Sequence, residues 1–385
     1  MILLFIISII ISYFYNYTTI VTNFYIGKFG HSRFIFQLIM LFIGLLVVYF
    51  IALTVNSYYK FYKTIIIMLL FFYIYFLFAL FELSAYVFKG YFLELFKIVG
   101  SVIYPDTLIE YSMTHRPGIH SFSQEPSHLA MYVAIIAPYI LSYSIYKKKY
   151  YNFFLVVLII LLSLSRLGYV LVFMEIFLIL YLFKFKYFDL KKIFIAIFMF
   201  FLFTNILFAI PIIGETILSL INVKEIGSNA ARYAAAYSAL QVWLNHNIFL
   251  GVGLGQTGFY SVDYLPQWGF LSGDVVDTNN GLRWPPIHNL LVRILTEIGL
   301  LGLIFWISVF IYMIFRLHRI IKIKYYFNKE VDWIAIGALV STIATILIMF
   351  NRETFTNMSM WLGFGLSLAY INITKRIYFE KKTNN

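Results

Sequence analysis

The stretch PPIHNLLVRILTEIGLLGLIFW, residues 285–306, joins a polar loop to an apolar helix. Its two prolines favour a helix start just after them. His288 precedes the helix, and Arg293 and Glu297 lie in its first turns. Ionisable side chains are costly where a membrane helix meets water, so these residues predict a functional site. The alternative is an ordinary interfacial helix start, in which Arg293 and Glu297 form a local i,i+4 ion pair.

The composition indicates that this helix belongs to a membrane protein. Of the 385 residues, 62% are hydrophobic and 12% are charged, and the mean hydropathy is +0.86. Soluble domains contain about 25% charged residues, so the chain is predicted to be polytopic. Cysteine is absent, which excludes disulfides, thiolate metal sites and cysteine nucleophiles. The net charge of +12 is interpreted as a topology signal, and no nucleic-acid partner is predicted.

The apolar runs predict an all-α fold, a transmembrane helical bundle of about ten helices, because a span needs about 20 residues. The runs are 2–22, 35–56, 64–86, 128–146, 151–165, 167–183, 193–213, 289–315, 331–350 and 355–374. The two short runs around Arg166 predict either a tight hairpin or a pair of broken half-helices. The first run lacks a basic leader and a cleavage site, so we interpret it as an uncleaved membrane helix.

The positions of lysine and arginine predict the orientation of the helices. Most of these residues fall in short segments on one side, which the positive-inside rule assigns to the cytoplasm together with both termini. Two long loops, residues 87–127 and 214–288, then face the outside. No internal repeat or low-complexity linker divides the chain, so residues 1–385 are predicted to form a single integral membrane domain.

The first long loop ends in a polar segment that precedes the fourth span. Pro126 suits the first turn of a helix and Glu125 suits its positive end. A capped helix start leaves the clustering of Arg116, Glu125 and the two nearby histidines unexplained, so Arg116 and Glu125 are candidate functional residues. Arg166, between the fifth and sixth spans, either reaches phosphate headgroups or holds an anionic ligand. Glu175, deep in the sixth span, is predicted to be structural or coupling rather than catalytic.

The second long loop is predicted to contain an amphipathic helix, residues 229–245, that lies along the membrane surface. Arg232 lies in its first turn, where a cation is unfavourable for the helix dipole, so a further role such as anion binding is indicated. The glycines at 253, 255 and 258 formally match a dinucleotide fingerprint. No βαβ unit surrounds them, so a hinge or a tight turn against substrate is predicted instead.

The end of this loop, residues 260–284, is polar and contains glycine. Asp274 and Asp277 lie three residues apart, which is a weak signal for a metal, and we predict no metal and no cofactor. Trp268 and Trp284 are candidates for stacking on the faces of sugar rings. Arg283 adds another cation to the same segment.

The spacing His288-Asn289, nine residues, Gly299, two residues, Gly302 resembles the signature of the bacterial O-antigen ligase and polymerase superfamily. The segments Glu125-Pro126-Ser127 and Ser165-Arg166-x-Gly168 are similar to recurrent segments of the same superfamily. The family places an essential arginine in the late outer loop, and Arg232 is the best positional match. The resemblance implies an integral membrane glycosyltransferase whose donor is a glycan on a polyprenyl diphosphate.

This resemblance implies roles for the polar residues on the outer side. Arginines suit the departing diphosphate because a planar guanidinium donates two bonds to oxyanions and stays charged. His288 is the predicted base for the acceptor hydroxyl, and Glu125 is the alternative base. The residues predicted to bind diphosphate or substrate are Arg232, Arg166, Arg116, Arg293, Arg283 and Asn289.

Within the superfamily, a repeat-unit polymerase with inverting transfer is favoured by the Glu-Pro-Ser segment and the short chain. The first alternative is an O-antigen ligase that moves glycan onto lipid A–core, and the more distant one is a flippase or transporter. The expected partners are polyprenyl-diphosphate-linked oligosaccharide, membrane lipids and, as a candidate, a chain-length regulator protein. The expected location is the bacterial inner membrane, with the active site facing the periplasm or outside.

Overall fold

A computed structural model describes residues 1–88, 90–103, 118–123, 125–183, 226–328, 332–351 and 355–383. This part of the chain is almost entirely α-helical. Its helices are α1 (Ile2–Tyr15), α2 (Tyr17–Thr22), α3 (Gly30–Thr54), α4 (Tyr58–Phe88), α5 (Gly90–Ile103), α6 (Pro126–Lys147), α7 (Tyr151–Ser163), α8 (Arg166–Leu182), α9 (Ile226–Asn245), α10 (Thr257–Tyr260), α11 (Gly273–Asn279), α12 (Leu290–Asn328), α13 (Trp333–Met349) and α14 (Met358–Thr383). Strands β1 (Phe24–Tyr25) and β2 (Lys28–Phe29) form an antiparallel hairpin. Two short 3-10 helices span Ser261–Tyr264 and Gln267–Leu271.

Four of the described helices are long and apolar enough to cross a membrane. They are Gly30–Thr54, Tyr58–Phe88, Pro126–Lys147 and the part of α12 from Leu290 to Ile323. Three shorter apolar helices accompany them: Ile2–Tyr15, Tyr151–Ser163 and Trp333–Met349. The prediction of an all-α, multi-pass membrane protein is therefore confirmed. The total of about ten spans and the orientation stay predictions, and the run at 193–213 lies outside the described residues.

Several boundaries differ from those read from hydropathy. The first apolar run divides at Asn16 into α1 and α2, because the Asn16 side-chain amide donates back to the carbonyl of Ser12 at 2.9 Å and outward to the carbonyl of Gly251 at 3.1 Å. Helix α5 lies inside the predicted first loop. Leu164 adopts a left-handed conformation between α7 and α8, and both helices pack against α6.

The described chain forms two compact units, each built from three segments. Unit 1 contains residues Met1–Ile51, Val223–Phe315 and Thr345–Gly365. Unit 2 contains residues Ala52–Asn222, Arg316–Ala344 and Leu366–Asn385. The prediction of a single membrane domain is not tested by this division and stays a prediction.

Helix α6 forms the centre of unit 2. Its side chains from Leu129 to Ile145 are almost all buried, as expected for a helix that is apolar on every face. Helices α4, α7 and α8 pack around it. Pro126 occupies the first turn and Glu125 is the residue before the helix, as the sequence predicts.

Helix α9 of unit 1 agrees in position with the predicted amphipathic helix, but its packed face consists of small residues. Ala231, Ala234, Ala235 and Ala239 are buried at helical spacing, and the first two pack with Val275 of α11. Large apolar side chains of the same helix, such as Tyr233 and Leu244, are exposed. The small side chains of α9 allow α11 to approach this helix closely. The face of α9 that carries large side chains points away from this core.

Candidate functional site

The start of α12 holds the histidine and asparagine of the sequence motif. The Asn289 side-chain oxygen accepts a hydrogen bond from the backbone N–H of Val292 at 3.1 Å, which caps the helix. His288, one residue earlier, is half-buried and has a φ of 58°. Positive φ is uncommon for residues other than glycine, and histidine adopts it more readily than most. The cap therefore fixes the backbone on one side of a histidine that is held in an unusual conformation.

Arg293 and Glu297 form an i,i+4 ion pair. The sequence predicts this pair for an ordinary helix start, which was the alternative to a functional site. Arg293 Nε donates to Glu297 Oε1 at 3.0 Å, and both side chains are almost completely buried. Thr257 Oγ1 donates to the same carboxylate oxygen at 3.3 Å. A buried ion pair is costly to desolvate and more costly to break, so the pair fixes the first turns of α12 against α10. A role in substrate binding for Arg293 stays a prediction.

The buried pair gives a direct prediction for stability. Glu297→Gln keeps an acceptor for Arg293 and Thr257 but removes the counter-charge of a buried guanidinium. We expect the free energy of unfolding to fall by about 2 kcal/mol, measured by denaturation of the purified protein in detergent. The matched control is Glu94→Gln in α5, which breaks an exposed i,i+3 pair with Lys97 and should change stability by less than about 0.5 kcal/mol. Equal effects of the two substitutions would contradict the structural importance of the buried pair.

Helix α12 is interrupted at Gly299, which has φ 76° and ψ −172°. The interruption leaves the carbonyls of Thr296 and Glu297 without helical partners, and they accept the backbone N–H groups of Val252 and Gly253 at 3.0 and 2.8 Å. Beyond the interruption, the N–H of Leu300 donates to the carbonyl of Ile248 at 2.9 Å. The broken helix is therefore joined by backbone hydrogen bonds to the glycine-containing segment 247–253.

This glycine-containing segment, continued to Gly255, forms a tight turn, and the predicted contact of these glycines with substrate stays a prediction. Gly251, Gly253 and Gly255 all have positive φ. A Cβ at Gly251 would lie 2.4 Å from the carbonyl oxygen of Thr296, so only glycine permits this approach to α12. Further along, Gly255 packs against the backbone of Arg33 in α3. The turn thereby brings α3 and α12 together within unit 1.

A cavity of about 160 Å³ lies where these segments of unit 1 meet. Helix α3 contributes Arg33, Phe36 and Gln37, the glycine turn contributes Gly255 and Gly258, and the segment at the start of α12 contributes Trp284, Pro285, Ile287, Arg293 and Glu297. Arg33 and Gln37 are four residues apart, so they occupy the same face of α3. His288 is not among the lining residues, although it directly follows Ile287. The cavity therefore combines two arginines, one carboxylate and one amide with an aromatic wall.

Trp284 forms the aromatic wall of the cavity and lies against two cations. The Lys28 ammonium lies 4.6 Å and the Arg33 guanidinium 4.7 Å from the ring centroid, within the range of cation–π attraction. The ring also covers Gly258, where a Cβ would lie 2.4 Å from Trp284 Cζ2. Burial, and secondarily the charge of Arg33, lower the pKa of Lys28. Lys28 and Arg33 thus concentrate positive charge at this wall, and neither residue was predicted from sequence to belong to the site. Stacking of Trp284 on a sugar stays a prediction.

The other predicted residues of unit 1 lie outside the cavity lining. Arg232 is exposed, and its Nη1 donates to the Asn351 side-chain oxygen at 3.0 Å. Arg283 forms a half-exposed ion pair with Asp274. Trp268 is exposed and packs edge-to-face with Tyr237 of α9 at 6.3 Å. Their predicted roles in substrate binding stay predictions.

Two of the predicted residues of unit 2 lie at helix starts. Glu125 precedes α6, and its Oε2 accepts a hydrogen bond from Ser127 Oγ at 3.1 Å. Arg166 is the exposed first residue of α8, and the preceding Ser165 caps this helix by accepting from the N–H of Gly168 at 3.3 Å. Arg116 lies outside the described residues. Glu175 is completely buried in α8, and neither of its carboxylate oxygens has a hydrogen-bond partner in the described part of the chain.

Sequence reasoning missed a carboxylate that organises the loop before α6. Glu82 of α4 is fully buried and accepts the backbone N–H groups of His120 and Ser121, the latter at 2.8 Å. Its Oε1 also lies 3.2 Å from the His120 ring nitrogen Nε2. An acidic residue within an apolar run was a signal for such a role. Glu82 therefore holds the backbone of His120 and Ser121 against α4.

These observations define the class of the protein as a multi-pass membrane protein with an arginine-lined cavity beside a capped and interrupted helix. Among the described residues, no cluster of three or more histidine, aspartate or glutamate side chains is arranged to hold a metal. Residues 151–307 match the family model described as O-antigen ligase, and this segment includes the His288 motif, the glycine turn and the interruption of α12. The resemblance to the O-antigen ligase and polymerase superfamily is therefore confirmed over this part of the chain.

The chain is also similar to a curated protein. The teichuronic acid biosynthesis protein TuaE of Bacillus subtilis (strain 168) is 26% identical over 150 residues, which are 39% of this chain and 28% of that protein. The chain therefore matches less than a third of the relative's length. No solved structure matches the chain.

Proposed function

We propose that this protein polymerises oligosaccharide repeat units carried on polyprenyl diphosphate into a surface polysaccharide of the O-antigen or capsule type. The match of residues 151–307 to the O-antigen ligase family carries this proposal. The name of the relative places that protein in teichuronic acid biosynthesis, which supports a role in making a polysaccharide. The reaction takes place at the outer face of the bacterial inner membrane, and both termini lie in the cytoplasm. A chain-length regulator is a candidate partner.

The proposed reaction is a displacement at the anomeric carbon of the donor. The acceptor hydroxyl loses its proton to the His288 imidazole, and its oxygen forms a bond to the anomeric carbon. The bond from that carbon to the diphosphate oxygen breaks, so polyprenyl diphosphate leaves and the configuration inverts. A histidine suits the first step because its pKa lies near neutrality. Glu125 is the alternative base.

The leaving diphosphate needs positive charge that is already in place. Arg293 Nε is held by Glu297 in a buried ion pair, so its guanidinium requires little rearrangement when charge develops. We assign Arg232, Arg283, Arg166 and Arg116 to the same task of binding diphosphate and substrate. Trp268 and Trp284 are proposed to contact sugar rings. The reaction as proposed uses no metal.

Two other activities remain as competing candidates. An O-antigen ligase would use the same donor and the same histidine but would transfer the glycan to lipid A–core, and the description of the matching family favours it. A flippase would move the lipid-linked glycan without breaking a bond, and the interrupted helix α12 is a feature shared with transporters. The first experiment therefore has to separate these three activities.

The test uses purified full-length protein in detergent with polyprenyl-diphosphate-linked repeat units from the host, and the products are separated on a glycan gel. A ladder of increasing lengths is the expected result. Transfer that occurs only after lipid A–core is added would establish a ligase instead. With demonstrably folded protein, the absence of both products would overturn enzymatic transfer and favour the transporter.

A further inference from the structure

Two buried acceptor atoms line the cavity of unit 1 without a protein donor. Gln37 Oε1 and Glu297 Oε2 have no hydrogen-bond partner in the described part of the chain. Their residues are only 1% exposed, and both line the cavity. A buried acceptor is costly unless it receives a hydrogen bond. A ligand that completes this site must therefore bring donor groups, and hydroxyls are suitable donors.

The same cavity favours negative charge. Arg33 and Arg293 line it, and Lys28 lies against the Trp284 wall. Only Glu297 opposes these three cations among the lining residues, and Arg293 is hydrogen-bonded to its other oxygen at 3.0 Å. A planar guanidinium matches the two oxygens of a carboxylate particularly well. The ligand that fits this charge balance is an anion.

The volume of the cavity and the polar groups that line it favour a single acidic sugar as the ligand. The volume of about 160 Å³ corresponds to roughly five water molecules, which suits one ring rather than an oligosaccharide. Inorganic phosphate supplies charge, but at neutral pH it brings few donors for Gln37 and places its charge beside Glu297. A pyranose with a carboxylate supplies several hydroxyl donors and a charge on a separate atom.

We propose that this cavity is a subsite for one uronic-acid ring of the glycan, with Arg33 selecting the carboxylate and Gln37 accepting from a ring hydroxyl. The inference rests on the proposed function and deepens it by naming a class of sugar. Arg33 and Gln37 are thereby specificity-determining residues contributed by α3, far in sequence from the His288 motif.

The test measures binding of monosaccharides to the full chain in lipid nanodiscs by saturation-transfer difference NMR. The probes are methyl α-D-glucuronoside, methyl α-D-glucoside and inorganic phosphate, the last as a competitor. We expect the glucuronoside to bind about tenfold more tightly than the glucoside, which is the ratio that one charge-assisted contact provides. Phosphate should displace it only weakly.

Substitutions assign the contacts. Arg33→Gln should remove the preference for the glucuronoside while glucoside binding stays the same. Gln37→Leu should weaken both sugars roughly equally and, because it places an apolar side chain in a buried position, should leave the protein folded. Lys97→Gln, which removes an exposed charge from α5, is the matched control and should leave the binding of all three probes unchanged.

Equal affinities for the two glycosides in the wild type would overturn the proposal, and so would full displacement by phosphate at equal concentration. Unchanged preference in Arg33→Gln would also overturn it. If Arg33→Gln unfolds, Arg33→Lys is the second variant to measure, since it keeps the charge and should retain part of the preference for the glucuronoside.

Failure of the polymerisation assay with normal glucuronoside binding would reject the proposed function alone. A glycan ladder without glucuronoside binding would reject the subsite alone.

Discussion

We expect His288→Ala to abolish most glycan transfer while the protein still accumulates in membranes and purifies as a folded species. We expect a loss of about 10²–10⁴-fold in the rate of repeat-unit transfer, which is the usual contribution of a general base. The side chain is half-buried at the start of α12, where the cap by Asn289 does not depend on the imidazole. The effect should therefore fall on chemistry more than on folding. The measurement is the initial rate of ladder formation with purified protein.

The control for this prediction is a histidine on the same helix. His318 is exposed on α12, well beyond the interruption at Gly299, and His318→Ala should leave the transfer rate within about twofold of wild type. A transfer rate in His288→Ala equal to that of the control would remove His288 from the mechanism. Glu125→Gln would then be the next variant to measure.

Gly299→Ala should destabilise the protein severely. A Cβ at this position would lie 2.2 Å from the carbonyl carbon and oxygen of Phe249, and the φ of 76° is strained for alanine. The conformational strain costs about 1–3 kcal/mol, and the overlap costs a similar amount. We therefore expect the free energy of unfolding to fall by about 4 kcal/mol. The measurement is thermal unfolding in detergent, together with the monodisperse fraction in size-exclusion chromatography.

Gly273 provides the matched glycine for comparison. It lies in α11 with nothing within 4 Å of an added Cβ, so Gly273→Ala should be neutral or stabilising by up to about 1 kcal/mol. If Gly299→Ala were as stable as this control, the interruption of α12 would not be a fixed part of the fold. The result would then point to a continuous helix in the native protein.

Much of the site's local structure was predictable because it depends on near neighbours in sequence. The two prolines, the polar cap and the apolar run predict the start of α12, and the i,i+4 spacing predicts the pair between Arg293 and Glu297. The glycines after Phe249 predict a tight turn. The sequence did not indicate that this turn forms backbone hydrogen bonds with α12 at the interruption near Gly299. The two partners of each bond are about 50 residues apart, so no local pattern reveals them.

The sequence did not predict that α3 lines the cavity of unit 1, and the reason is different. The hydropathy boundary at residue 35 leaves Arg33 in a loop, whereas the helix starts at Gly30 and places Arg33 and Gln37 on one face. Polar residues in an otherwise apolar helix were a signal that a cavity or partner faced them. The position of that cavity depends on packing by Gly255 and Trp284, which no local pattern specifies.

The polar side chains of α1 have a consequence for biosynthesis. Ser12 donates to the carbonyl of Leu250 at 2.6 Å, and Asn16 donates to that of Gly251 at 3.1 Å. The ribosome makes these acceptors more than 230 residues after the donors, a delay on the order of 10–50 s at roughly 5–20 residues per second. During that interval both side chains lack these acceptors, and Asn16 can donate only to the carbonyl of Ser12 in its own helix. A polar group without its full set of partners is unfavourable in an apolar medium. These two hydrogen bonds of the N-terminal helix therefore form only after the late loop is synthesised, and we expect a nascent chain truncated before residue 250 to be degraded faster than the full chain.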